Sequence, residues 1–196
     1  MNHRFCPDAN ALNLEKLMNA TASSAVPLAR ADSQSPLSAL YACHRRVLAY
    51  CATLRRLVSH LAESGCNREA QVVSHGVLRF FDNEIPQHYA DEEEDLFPAL
   101  IDSMAGSDAV CLQALTKGSA EQHRALAAQW NMLREPLEEI AAGRRGMLSC
   151  ESVEAFARLW RDHIGAEEGE LLPMASRLLT DGDLARVNRA MRVRRT

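Results

Sequence analysis

The sequence predicts an all-α protein: an up-down-up-down bundle of four long helices, with an N-terminal extension before it and a short C-terminal helix after it. Three observations carry this expectation. From Pro36 onward apolar residues recur at helical spacing almost without interruption, and no stretch alternates with a period of two. Breaks bearing glycine at Gly65, Gly106 and Gly143 divide the run into four long segments joined by short loops. The 196 residues, 47% hydrophobic and 24% charged, suit one domain with a sizeable core.

Residues 1–35 form the extension. NALNLEKLM suits a short helix, and ATASSAVPLARADSQSP is small and polar and reads as a loop or disordered lead-in. The bundle spans 36–180. Pro36 suits a first helical position with Ser35 as its N-cap. Leu37, Leu40, His44, Val47, Leu48, Cys51, Leu54, Val58 and Leu61 then follow helical spacing up to the Gly65 stop. A second helical stretch runs from about Asn67 to Met104, with a kink expected at Pro86. The third carries Leu112, Leu115, Ser119, His123, Leu126, Trp130, Leu133, Leu137 and Ile140. The fourth begins near Ser149 and carries Val153, Phe156, Trp160, His163, Glu167, Leu171, Met174 and Leu178. Residues 181–196 form a short helix with Leu184, Val187 and Met191, and a basic tail that reads as a solvated helix end.

A net charge of −4 and 5% aromatic residues argue against nucleic acid as a partner. No run reaches the roughly 18–20 apolar residues of a membrane helix, and the N-terminus has no apolar signal core, which points to the cytoplasm. Cysteines at 6, 43, 51, 66, 111 and 150 include no CxxC pair and read as free thiols, several of them buried.

The histidines carry the chemistry. His44, His88, His123 and His163 each sit where an apolar residue is expected, one per long helix. His60 lies about 160° around the helix from His44, His75 lies off the His88 face, and His3 is in the extension. In an antiparallel hairpin, residues equidistant from the loop share a level. The midpoint of His44 and His88 is residue 66, that of His88 and His123 falls between 105 and 106, and that of His123 and His163 is Gly143. All three fall in the loops, so the four imidazoles converge in one layer.

Two of these histidines bring a carboxylate. His88 with Glu92 and His163 with Glu167 are both H-x-x-x-E, which places the pair about 40° apart and one turn along the helix. HYADEEEDLFP and HIGAEEGELLP match at five of eleven positions, so the chain reads as two copies of one unit. Two carboxylates buried without compensation would cost several kcal/mol or take up protons. Two divalent cations would supply the missing charge, with Glu92 and Glu167 each bridging both. Two histidines per ion leave room for water, an oxo or hydroxo group, or a small ligand. Nitrogen and oxygen donors without thiolate suit iron, manganese or zinc. Glu93 and Glu168 lie about 140° from His88 and His163 and read as solvent-facing or as supports for metal-bound imidazoles. Tyr41, Tyr89, Trp130 and Trp160 read as packing residues.

The order His…H-x-x-x-E-E-x-x-L-F-P…His…H-x-x-x-E-E-x-x-L-L-P resembles the hemerythrin-like, or HHE cation-binding, proteins over roughly residues 37–180. The resemblance implies a four-helix bundle holding a non-haem di-iron centre that meets dioxygen and related small molecules. It implies His44, His88, His123 and His163 as terminal ligands, the first two on one iron and the last two on the other, with Glu92 and Glu167 as bridges. Oxygen-carrying hemerythrins have a fifth histidine one turn from the third-helix ligand, where this chain has Ser119 and Ala127. The expected role is therefore binding or sensing of dioxygen, nitric oxide or peroxide rather than simple oxygen transport. A di-iron enzyme of stress defence (a peroxidase or an iron-sulfur cluster repair factor) is the alternative. A ferritin-like oxidase would need Glu-x-x-His, but Tyr41, Ile85, Ala120 and Trp160 stand three residues before the four histidines. A metal-free helical interaction module with pH-sensitive core histidines is the remaining class.

Overall fold

A computed structural model describes residues 35–104 and 107–196, and the elements it contains are helical, with no strand among the described residues. The expected extension, its short helix and His3 lie outside the described residues, Ser35 excepted.

Helix α1 spans Pro36–Ser64, with proline in its first turn, and Ser35 at the N-cap makes no side-chain capping bond. Gly65 ends it at φ 66°, in the left-handed region that glycine enters without steric cost, and its N–H bonds to Leu61 O at 3.1 Å. The second rod begins with α2, Arg68–Arg79, whose first turn is capped by the Asn67 side chain accepting from the Ala70 N–H at 3.0 Å. It continues through a π turn at Phe80–Glu84, α3 at Ile85–Ala90, a second π turn at Asp91–Leu96, and α4 at Phe97–Asp102. The third rod is α5, Ser107–Ala141, and Gly143 turns the chain after it at φ 74°. The fourth comprises α6 at Cys150–Ala166, a π turn at Glu167–Leu171, and α7 at Leu172–Leu178. Thr180 then opens α8, Asp181–Val193, with a full capping box to Asp183.

The three π turns have a common cause. Each runs into a proline in the first turn of the next α segment: Pro86, Pro98 and Pro173. Proline lacks the N–H for an i→i−4 bond, and its ring crowds the preceding turn. One residue more per turn relieves that crowding, so the Phe97 N–H reaches back five residues to Glu92 O and the Leu172 N–H to Glu167 O. At Pro86, the site of the expected kink, the preceding turn is widened, and helical segments continue to Asp102. Pro136 lies inside α5 without such a turn, so proline alone does not dictate one.

The first rod packs on the second and fourth, and the third packs on the same two. These are the neighbour relations that an up-down-up-down bundle requires. The apolar core falls into two clusters. One gathers Val47, Tyr50, Leu54, Val77, Phe80, Phe81, Leu126, Leu133, Phe156 and Trp160. The other gathers Leu37, Leu40, Leu96, Leu100, Leu112, Leu172 and Ala175 with Val187 and Met191 of α8. Near the boundary between them, on all four rods, lie the buried polar residues His44, His88, Glu92, His123, His163 and Glu167.

Two sequence readings need correction. Cys43, Cys51 and Cys66 are free thiols, but Cys150 is disulfide-bonded, which cysteine spacing alone does not reveal. The basic tail is not simply solvated: Arg194 and Arg195 fold back onto the acidic run of the second rod.

Candidate metal centre

The structure brings all six of the singled-out side chains into one buried layer, each no more than 2% exposed. Their donor atoms form two groups, His44–His88–Glu92–Glu167 and Glu92–His123–His163–Glu167, with the ligand atoms of each group within 4.8 Å of one another. Both carboxylates belong to both groups. His44 and His88 meet edge to face at 5.1 Å between ring centroids, and His123 and His163 at 4.7 Å.

The donor spacings fit a shared cation. Two ligands each about 2.1 Å from one ion and about 90–110° apart stand about 3.0–3.4 Å from each other. Glu167 Oε2 lies 3.3 Å from His44 Nε2 and 3.5 Å from His163 Nε2. Glu92 lies 3.2 Å from His123 Nε2 through Oε2 and 3.5 Å from His88 Nε2 through Oε1. The Nε2 atoms of all four histidines, both oxygens of Glu92 and Oε2 of Glu167 are buried without a hydrogen-bond partner. Unpaired buried polar atoms cost free energy, and so many in one layer point to a ligand common to them all.

The far side of the rings fixes their tautomers. His44 Nδ1 lies 2.9 Å from Glu168 Oε1, and His123 Nδ1 lies 2.6 Å from Glu93 Oε1. Carboxylates only accept, so each Nδ1 carries the hydrogen and each neutral ring turns its Nε2 lone pair inward. The Gln122 carbonyl oxygen accepts from His163 Nδ1 at 3.0 Å. His88 has no such partner on either nitrogen. Glu93 and Glu168 take both of the roles read for them: each stays exposed to solvent and each supports an imidazole. Gln122 escaped the sequence reading, although it is adjacent to His123.

Where oxygen-carrying hemerythrins have their fifth histidine, Ser119 is buried and donates to Glu167 Oε1 at 2.5 Å, and Ala127 is exposed. Tyr89 stacks on the His123 ring at 4.0 Å, and Trp160 packs edge-on against His163 at 5.5 Å. Both also line a cavity of ≈ 490 Å³ with Phe81, Ile85, Leu126 and Trp130, so a largely apolar space adjoins the rings that back this histidine pair. His75 is exposed, and His60 bonds to Asn67 at 2.9 Å, so neither approaches the layer.

Electrostatics follow from burial. Desolvation pushes His88, His123 and His163 below the ordinary imidazole value, His163 to about 4, which keeps the rings neutral and able to bind a cation. Desolvation, reinforced by the charge of Glu167, drives Glu92 well above the usual carboxylate range. Burial acts the same way on Glu167, but the imidazoles around it, His44 foremost, and the Ser119 hydroxyl outweigh it and hold that carboxyl low. Two carboxylates in one dry site cannot both ionise without compensation, so the pair divides into one that holds a proton and one that does not.

The hemerythrin HHE cation-binding domain model matches residues 35–175 of the chain. A protein of Haemophilus influenzae, described as an uncharacterized protein, is 31% identical over 160 residues, covering 82% of this chain and 90% of its own length. The paired H-x-x-x-E-E segments, their convergence in one buried layer and the span of the family match lead to one assignment: the chain belongs to the hemerythrin HHE cation-binding domain family.

Proposed function

We propose that this protein is a non-haem di-iron protein whose four-helix bundle, residues 36–180, holds two ions and binds or senses dioxygen, nitric oxide or peroxide in the cytoplasm. His44 and His88 would hold one ion, His123 and His163 the other, with Glu92 and Glu167 bridging. The observation that carries this reading is the sharing of both carboxylates by two groups of donors whose inward atoms have no other partner.

When bound, a pair of redox-active ions supplies open coordination positions for a small ligand. The chain's own residues do the rest. Glu93, Glu168 and Gln122 orient three rings and fix their tautomers. The two apolar clusters exclude water from above and below the layer, which strengthens each electrostatic contact within it. Glu92 gives up its proton as cations enter, so loading is coupled to proton release. Iron is favoured by the family and accommodated by the nitrogen and oxygen donor set, which manganese and zinc also suit. No described helix is long and apolar enough to cross a membrane.

The test is anaerobic loading with ferrous iron, elemental analysis, and absorption spectra before and after dioxygen, nitric oxide or peroxide. About two irons per chain and a ligand-dependent near-ultraviolet band are expected. A folded chain that retains no metal overturns the reading. Catalytic turnover of peroxide by the loaded sample would move the assignment to the enzyme alternative.

A further inference from the structure

The acidic run on the second rod has two faces. Glu92 turns into the donor layer, while its neighbour Asp91, only 1% exposed, turns toward the C-terminal helix. Arg194 Nη1 donates to Asp91 Oδ1 at 2.7 Å and to Asp95 Oδ2 at 2.7 Å, and its Nη2 donates to Glu94 at 2.9 Å. Arg195 grips both oxygens of Asp91 and donates to Met191 O. Val187 and Met191 anchor the same helix in the apolar cluster that includes Leu96 and Phe97. Both arginines therefore reach across from the last helix to the π turn that presents Glu92.

We propose that Arg194 and Arg195 are positioning residues for the metal centre: they clasp the Asp91–Asp95 π turn from outside and so hold Glu92 where it reaches both ions. This rests on the metal-binding reading above. A π turn is a rare interruption of the α ladder, and this one carries the acidic run Asp91–Glu94 in its first turn, whose charged members repel one another. Two guanidinium groups supply opposite charge and several directional bonds, one set of them bidentate. The fourth rod has no such clasp in its motif, because the residue three after His163 is Ala166, where the residue three after His88 is Asp91.

The test compares iron release from the intact chain and from an Arg194→Ala/Arg195→Ala variant, each loaded with ferrous iron alone and then challenged with a ferrous chelator. Helical circular dichroism and urea midpoints are recorded alongside. Release about tenfold faster is expected, the lower end of what outer supports of a metal ligand contribute. Arg186→Ala, which breaks an exposed pair with Asp183 on the same helix, is expected to release iron at the unaltered rate. Should the double variant fail to fold, Arg195→Lys carries the test, since it keeps the charge but loses the bidentate grip, and about threefold faster release is expected. Iron release at the unaltered rate in a folded Arg-to-Ala or Arg-to-Lys variant overturns the clasp. Equal acceleration by Arg186→Ala overturns it as well, because a general loosening would then suffice. An unaltered chain that never holds iron overturns the metal reading instead.

Discussion

In both halves of the chain a lone histidine is followed by H-x-x-x-E-E, and in both the second glutamate crosses to the other half. Glu93 reaches the Nδ1 of His123, and Glu168 reaches the Nδ1 of His44. The inner glutamates cross too, Glu92 toward His123 and Glu167 toward His44. Each half thus braces its partner's imidazole, and neither completes a donor group alone. The halves part company around this shared frame. Counted from the lone histidines, Gln122 corresponds to Cys43 and Ser119 to Leu40. The second half therefore supplies an acceptor for His163 and a donor for Glu167 from α5, while His88 has neither nitrogen paired and the Glu92 oxygens have no donor. The first half has instead a contact from the C-terminal arginines, which bond to Asp91 beside Glu92. Matching residues define the donor set, and differing residues define how each half is held.

Acidification of the chelator-stripped protein gives the largest expected effect and separates the halves. The three depressed imidazoles stay neutral in the fold, whereas in the unfolded chain they titrate near 6.5. Below that pH the unfolded state takes up protons that the folded state refuses, so stability falls as pH drops from 6.5 toward 4. His163 alone would cost on the order of 3 kcal/mol over that range. Glu92 acts in the opposite sense, because the fold keeps a proton that the unfolded carboxyl loses above 4.5. Three groups against one leave a net loss on the acid side. His88→Leu removes one of the three and His123→Leu with His163→Leu removes two, so urea unfolding across this range should show a shallower slope for the double variant. Equal slopes would mean that the halves are not differently buried in protonic terms.

The Gln122 contact gives a middle-sized effect. Gln122→Ala removes the acceptor of His163 and should weaken one ion about tenfold while sparing the other. Competition with a coloured chelator would then bring the two release phases of the unaltered chain together, because neither half retains the extra acceptor. Cys43→Gln offers His88 the equivalent acceptor and should bring the two sites closer in affinity. A uniform change in both phases would argue that the halves act as one unit rather than as two differently braced sites.

The donor layer was legible because it obeys simple arithmetic. Polar residues at core positions, one per helix, are conspicuous, and hairpin midpoints set their level without coordinates. Glu92 and Glu167 were legible because i and i+4 share a helix face. The bracing was less so. Glu93 and Glu168 lie about 140° from their own histidines, and that rotation, read within one helix, does not reveal that they serve the histidine of another. The π turns re-aim these residues, and helical arithmetic based on 3.6 residues per turn does not contain them, although Pro98 and Pro173 mark both places. Arg194 and Arg195 read as a charged helix end because their partners lie about a hundred positions back in the chain, and no local pattern records such a pairing.

Ser119 gives the smallest expected effect and the sharpest one for the comparison. Its hydroxyl donates to Glu167 Oε1, the oxygen that lies 3.8 Å from His123 Nε2, and it helps to hold that carboxyl low. Ser119→Ala leaves the oxygen with one donor fewer, at a cost of about 1 kcal/mol. Glu167 should then hold its proton to higher pH and compete with the cation sooner, so metal loss on acidification should begin at a higher pH than in the unaltered chain. Leu40, the matching residue of the first half, makes no such bond, and Leu40→Ala would instead cost stability through a cavity, about 2–5 kcal/mol, without moving the pH at which metal leaves. The contrast between a shifted acid limb with little loss of stability and a large loss of stability with an unshifted limb distinguishes a residue that tunes the carboxylate from one that only fills space.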